Sequence, residues 1–525
     1  MKKALFICLC ATAALSASAQ ETYENARLMG DDLNGTARYV GMGGAMGALG
    51  ADLSTIGSNP AGIGLFRHST ANVSFGFVSQ QDANSFANGK KTNTSFDQAG
   101  FVYSARSGRN SFINVAFNYH KSKNFTQILS ASDRLKDASQ NKLSFAKWKE
   151  GLFDINGSAS SYFDGNTNAF NSLDYLYFNT LLYHEGDDNT GYFDYYDADS
   201  YTFDRASRGY IGDYDFNICG NINDRVYLGL TVGIHDVHYS GYSEYVENLV
   251  DIAGNSLGWV GVADNRRITG TGVDVKAGII FRPIENSPFR VGLSVASPIW
   301  YDLKTENNTF IESEFTGEKG GTMYGSDNTI YEFKLSTPWK FGLSLGTTVG
   351  NYLALGAEYE YADYGSTDTR VNDGYDWYGY DESSSDHAMN HHTENTLKGV
   401  STLKLGLEYK PIKELALRLG YNYVSPMYSK DGYKDVTVDS PGTYYTSSSD
   451  YTNWDSTNRI TCGVGYNIGK FSVDMAYQYT TQSGKFSPFT NYYGTEEVGV
   501  TDNECNAVDV DNKRHQVLLT LGYHF

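Results

Sequence analysis

Beyond its first twenty residues the chain has no run of about 18 apolar residues, which excludes membrane-spanning helices there. Proline is scarce, at 9 in 525 residues, as suits a chain of many strands. Cysteine is scarcer. Cys8 and Cys10 lie in an apolar leader, too early for a lipid-modified cysteine. Only Cys219, Cys462 and Cys505 follow, an odd and widely spread set that describes neither a disulfide framework nor a metal site. Positive charge is in deficit: Lys and Arg number 41 against 61 Asp and Glu, for a formal net charge of −20. That balance argues against a nucleic-acid partner. No catalytic constellation stands out either. Asp236 and His238, two apart on one strand face, make a poor dyad, so no enzyme activity and no cofactor are expected.

What is abundant is glycine, at 55, and tyrosine, at 42, a balance that fits many strands with aromatic girdles. The N-terminus reads as a signal peptide over 1–19. Lys2 and Lys3 give the charged start, Ala4 to Leu15 the short apolar stretch, and Ala17-Ser18-Ala19 the cleavage site, so the mature chain is expected to start at Gln20.

A period-two pattern recurs through residues 71–525. Leu415, Leu417, Leu419, Tyr421 and Tyr423 share one face, opposite Ala416, Arg418, Gly420 and Asn422. The same design appears at Leu353–Tyr361, Phe471–Tyr479 and Val226–Ile234. Apolar faces five residues long match tilted strands that cross a hydrocarbon layer. Strands are predicted near 71–78, 97–105, 111–120, 209–220, 225–239, 266–282, 288–301, 329–347, 352–364, 400–409, 414–425, 457–466, 470–481 and 512–525, with a bend at Pro338. Short links alternate with long ones, the longest at Lys121–Arg208. This is the asymmetry of a 14-stranded antiparallel transmembrane β-barrel with both termini periplasmic. Val517, Leu519, Leu521, Tyr523 and Phe525 form a last strand that resembles the signal read by barrel-assembly machinery. The expected location is the outer membrane, among its lipid and lipopolysaccharide, as a monomer.

Residues 20–70 differ. Gly41-Met42-Gly43-Gly44-Ala45-Met46-Gly47-Ala48 suggests short helices in a periplasmic arm or an internal plug. Gly35-Thr36-Ala37-Arg38, Gly41-Met42-Gly43-Gly44-Ala45 and Asn59-Pro60-Ala61-Gly62 resemble the N-terminal hatch of the long-chain fatty-acid transporter (FadL-like) family of outer-membrane barrels. Where the family often has an acidic pair after the glycine-rich stretch, only Asp52 stands here. The resemblance implies a 14-stranded barrel with the hatch in its lumen and passive uptake of a hydrophobic small-molecule ligand. It also implies capture on extracellular loops, a pocket above the hatch and release sideways through the wall.

The candidate gating residues are Gly41, Gly43, Gly44, Asn59, Pro60, Ala61 and Gly62. Proline fixes φ and glycine permits unusual φ, which suits a tight turn that passes a ligand or one that only launches the first strand. Leu173, Leu176, Tyr177 and Leu181 mark an apolar helical segment in the longest loop, either a capture groove or a helix packed on its neighbours. Arg290, Lys340, Glu358, Glu360, Lys404, Glu408, Arg418 and Asp474 are expected to face the lumen as ion pairs, with Arg290 and Arg418 the candidates for holding a carboxylate head group. His387, His391 and His392 in one loop, with His235 and His238, raise a haem or haemin receptor as the alternative. The acidic stretch Asp187 to Asp204 lacks the spacing of a calcium loop, and no metal site is expected. A surface adhesin or a barrel enzyme is the remaining alternative.

Overall fold

The computed structural model describes residues 21–156, 162–163, 169–185, 191–316, 322–325, 328–375, 377–379, 381–495 and 498–525. The signal peptide expected at 1–19 and the acidic residues 187–190 lie outside them.

Fourteen strands form the wall: β1 Thr70–Gln80, β2 Thr92–Arg106, β3 Phe112–Asn124, β4 Asp197–Ile222, β5 Val226–Val250, β6 Ser256–Phe281 and β7 Arg290–Ala296. They continue with β8 Lys340–Val349, β9 Leu353–Asp363, β10 Gly399–Tyr409, β11 Leu415–Val424, β12 Tyr451–Ile468, β13 Phe471–Ser487 and β14 Val508–His524. Each pairs antiparallel with its neighbour, and β14 pairs with β1 from Thr70↔His524 to Gln80↔Arg514, so the barrel is closed. Closure leaves no open sheet rim in lipid, where an unpaired backbone group costs several kcal/mol. Every predicted strand has its counterpart, and the short links all lie at one end.

The wall faces outward as the alternation demands. Leu417, Leu419, Leu355, Val473, Met475, Leu228, Leu230 and Leu519 are exposed, while Arg418, Glu358, Thr231 and Ala416 are buried inside. Tyr352, Tyr409, Tyr466, Phe471 and Phe525 ring the short-turn end, and Tyr214, Trp300, Trp339 and Tyr361 the other. These exposed aromatics sit where a bilayer has its two interfaces.

The strands are longer than predicted on the long-link side, because the side-chain pattern inverts there. On β5 Ile234 points out, next to Tyr214 and Val273 of its two neighbours. Past it the parity holds but the polarity switches: Val237, Tyr239, Tyr245 and Leu249 are buried inside, while Asp236, His238 and Glu244 face out. An apolar-in, polar-out wall is that of a soluble sheet, so this level marks the exit from hydrocarbon into water. Three segments, Gln127–Ala138, Trp300–Phe315 and Thr329–Ser336, extend β3, β7 and β8 into the same projecting sheet. The predicted bend at Pro338 is a break. By the register Ala296↔Lys340 and Trp300↔Ser336, Pro338 lies opposite Pro298, and both strands are interrupted at one height.

Inside lies the hatch, nearly all buried: helices α1 Thr22–Leu28, α2 Ala37–Gly41 and α3 Thr55–Ser58, then a tighter turn over Pro60–Leu65. Caps set the starts. The Glu21 carboxylate accepts from Tyr23 N and Glu24 N, Thr36 Oγ1 from Tyr39 N, and Asn59 Oδ1 from Ala61 N with Pro60 in the first turn. α1 stands at the long-link end, where Thr22 Oγ1 lies 2.8 Å from both His392 Nδ1 and Thr393 Oγ1 of helix His387–Thr396. The chain then descends to β1 at the short-turn end. Wall glycines let it lie flat. A methyl at Gly420 would collide with Gly43 N, one at Gly356 with Ala45 O, and one at Gly229 with the Pro60 carbonyl group.

Candidate functional site

The lumen holds a cavity of about 370 Å³, lined on the hatch side by α1 and the residues 29–34 that follow it. Its lining is mixed. Phe125, Tyr239, Tyr301, Tyr428, Tyr451 and Trp454 supply aromatic surface, and charged groups from hatch and wall supply the rest.

Beside this cavity the wall has a gap in its ladder. β2 and β3 pair only from Arg106↔Phe112 up to Gln98↔His120. Higher up, β2 pairs with β1 alone, while β3 stays with β4 through a register shift between Lys121 and Lys123. The hatch segment Met29–Asn34 takes up the edge of β3 left free. Asp32 N donates to Ser122 O at 2.7 Å, and Asn124 N donates to Asp32 Oδ2 at 2.9 Å. Asn34 Nδ2 reaches both strands, Asp97 Oδ1 of β2 at 3.1 Å and Lys121 O of β3 at 3.0 Å. Lys121 Nζ spans the same gap to Ser95 Oγ at 2.9 Å. A strand edge without a neighbouring strand needs such partners.

Ion pairs fix the hatch from below and from the sides. Arg418 Nε lies 2.7 Å from Glu408 Oε2 and its Nη1 2.5 Å from Asp474 Oδ1, while Arg38 Nε joins Glu408 at 3.0 Å. Lys404 Nζ holds Glu358 at 2.8 Å and Glu360 at 2.6 Å, and Gly47 N donates to Glu358 Oε2 at 2.9 Å. Lys340 pairs with Asp31. On β4–β6, His235 lies between Asp213 at 2.7 Å and Asp274 at 3.2 Å, and Lys276 binds Asp215 at 3.1 Å and Asp274 at 3.2 Å.

The residues singled out from sequence fall in separate places. Gly41 packs on Arg418 and Gly463, Gly43 on the Tyr421 backbone, and Gly44 on Leu33, Lys404 and Tyr39. Asn59 to Gly62 lie against β4–β6: Asn217 Nδ2 donates to Pro60 O at 3.4 Å, Cys219 Sγ to Ala61 O at 3.6 Å, and Ala51 N to Gly62 O at 3.0 Å. Leu173, Leu176, Tyr177 and Leu181 lie on and just after helix Ser172–Thr180. They are buried in a core with Phe145, Val260, Val262 and Ile311, so their apolar faces are covered. Arg290 donates through Nη1 to Leu49 O at 2.9 Å. Neither Arg290 nor Arg418 lines the cavity. Among the cations that do are Arg459 and Arg514, which share Asp32 Oδ1 at 3.4 Å each, and Lys123, which donates to the Met29 and Gly30 carbonyls. Arg459 and Arg514 have inward parity on β12 and β14; Lys123 has the outward parity of Ile113 and Val115 and reaches the lumen through the register shift between Lys121 and Lys123, which the sequence does not mark.

The histidines do not converge. His387 and His391 are exposed, and the ring nitrogens of His392 face Thr22 Oγ1 and Tyr433 O. His238 Nε2 and Asp236 Oδ2 lie 2.9 Å apart on the outer face. Among the described residues no group of three or more His, Cys, Asp or Glu is placed to hold a metal ion. Cys219, Cys462 and Cys505 are free thiols. Far above the membrane level, the buried carboxyl of Glu247 accepts from Gln140 N at 2.5 Å and from Tyr245 Oη at 2.6 Å. Burial pushes it up to about 7.

No family model matches the chain, and no curated protein matches it. Solved structures do. A Pseudomonas aeruginosa FadL homologue is 12% identical, with a TM-score of 0.48 over 94% of this chain and 99% of its own. The Ralstonia pickettii toluene transporter TbuX gives 12%, 0.48 and the same coverage. The P. putida toluene transporter TodX gives 11% and 0.46, again over 94% and 99%. The chain is thus similar to these structures along nearly its whole length and at low identity.

Proposed function

We propose that this protein is an outer-membrane channel for passive uptake of hydrophobic compounds, long-chain fatty acids or similar apolar molecules. The observation that carries the reading is the meeting of a lumen cavity, lined in part by aromatic side chains, with a stretch of wall where β2 and β3 share no ladder and the hatch, beside the Lys121–Ser95 contact, fills in. A hydrophobic solute gains about 25 cal/mol per Å² of apolar surface on leaving water. Loops and cavity offer it a sequence of such surfaces, and the membrane interior is the last. Withdrawal of Gly30–Asn34 from the edge of β3 opens a path from cavity to lipid without passage through the packed lower hatch. The glycines Gly41, Gly43 and Gly44 and the turn Asn59–Gly62 are then the hinge and anchor of the movable segment.

A cross-link across the gap tests this. In a variant with Cys219, Cys462 and Cys505 replaced, Ser95→Cys and Lys121→Cys are joined by a short bis-thiol reagent. Uptake of a radiolabelled long-chain carboxylate or of toluene should stop when the link is made and return with a cleavable linker once it is cut. Unchanged uptake with the link in place contradicts lateral release. Unchanged uptake in cells lacking the protein contradicts the channel itself.

A further inference from the structure

The chain as a whole is acidic, with 61 Asp and Glu against 41 Lys and Arg, yet its short-turn end is basic. The six short turns, 106–110, 221–225, 282–287, 348–351, 410–414 and 467–470, hold seven Lys and Arg against three Asp and Glu. One of the three, Asp224, is taken by Arg67. Five of the cations, Arg106, Arg109, Arg225, Lys413 and Lys470, are exposed, and among the described residues none of them has a carboxylate within ion-pair reach. The aromatic ring at this end fixes their depth. Lys470 adjoins Phe471, and the turn 410–414 follows Tyr409 directly, so these cations sit at the level of the lipid head groups. The same turns hold isoleucines outward: Ile222, Ile284, Ile412 and Ile468 are all more than half exposed. In water such side chains gain nothing. At the boundary between head groups and acyl chains, the isoleucine enters hydrocarbon while the neighbouring cation reaches a phosphate.

We propose that the short-turn end is a docking surface for anionic phospholipid, with its turns on the head-group phosphates of the leaflet on that side and its isoleucines in the acyl boundary. The inference goes beyond the channel reading and does not rest on it. Arginine suits a phosphate because its planar fork takes two oxygens at once. Arg106 and Arg109 share the turn of the β2–β3 hairpin, the one whose ladder stops short. Arg106 donates to the carbonyls of Gly108 and Arg109, which leaves Arg109 the freer of the two. A lipid held at this turn lays its tails along Phe101, Tyr103, Ile113 and Val115, all exposed below the gap.

The test is electron spin resonance of spin-labelled phosphatidylglycerol and phosphatidylcholine, with the full chain in phosphatidylcholine vesicles and folding checked by heat-modifiable gel migration. Phosphatidylglycerol should associate with the protein about fivefold more strongly than phosphatidylcholine, the equivalent of about 1 kcal/mol for one basic side chain at an anionic surface. In about 1 M salt, where the Debye length is about 3 Å, the ratio should fall toward unity. Arg109→Gln, Arg225→Gln, Lys413→Gln and Lys470→Gln combined should have the same effect at low salt. Arg208→Gln with Arg267→Gln, both exposed on the projecting parts of β4 and β6, should leave the ratio unchanged. If the combined turn variant does not fold, Arg109→Gln and Lys470→Gln decide singly, each lowering the ratio. Equal association of the two lipids with wild type, or a preference that survives in the turn variants, overturns the proposal and leaves the channel reading intact.

Discussion

At Asn34 one side-chain amide donates to Asp97 on β2 and to the Lys121 carbonyl on β3, where those strands have no ladder of their own. Asn34→Ala removes both bonds. At about 1 kcal/mol each, the open state should gain roughly thirtyfold in population, read as faster leakage of a hydrophobic dye. Glu247 makes a second prediction at this scale. Its carboxyl is raised from an ordinary value of 4.5 to about 7 by burial, so the neutral form is the one the folded cap prefers. The resulting stabilisation is full below pH 4.5 and is lost as pH rises through 7, a swing of roughly 3 kcal/mol at one pKa unit per 1.36 kcal/mol. Hydrogen exchange over helix Gln140–Lys149, whose first N–H Glu247 accepts, should therefore be slower at pH 5 than at pH 8. Glu247→Gln should flatten that difference. Neither residue stood out in the sequence. Asn34 belongs to no motif, and a carboxylate on the projecting part of β5 reads as solvated until the helix that covers it is placed.

Strands and helices were unequally legible. The membrane level of β5 announced itself through Leu228, Leu230, Val232 and Ile234, all apolar and all on one face. Its upper half is silent to a pattern search tuned to apolar-out, because polarity inverts after Ile234. The helix Ser172–Thr180 was visible as an apolar segment, but which surface it meets depends on residues far off in sequence, Val260 and Ile311 among them. Its role in the projecting cap is checkable. Leu176 is fully buried, and Leu176→Ala should cost the cap about 2–5 kcal/mol. Limited proteolysis should then cut the links above the membrane while the spanning strands keep their heat-modifiable migration.

For the whole molecule, closure and hatch are mutually fitted. The glycines of the wall are empty positions into which the hatch backbone settles, so a side chain there acts on the plug rather than on the strand. Gly356→Val, pointing at Ala45 O, should leave the barrel folded but raise single-channel conductance in planar bilayers, whereas an outward change such as Leu355→Val should not. The sequence showed many glycines and a glycine-rich hatch; that the two sets meet each other only the register reveals.

The hatch precedes β1 in the chain, yet it fills the space that β1 and β14 shut when they pair. Its ion pairs run to β8, β10, β12 and β14, spread around the wall. A seam closed around this segment completes all of these pairs at once, with the first part of the polypeptide made as the mandrel on which the rest is rolled.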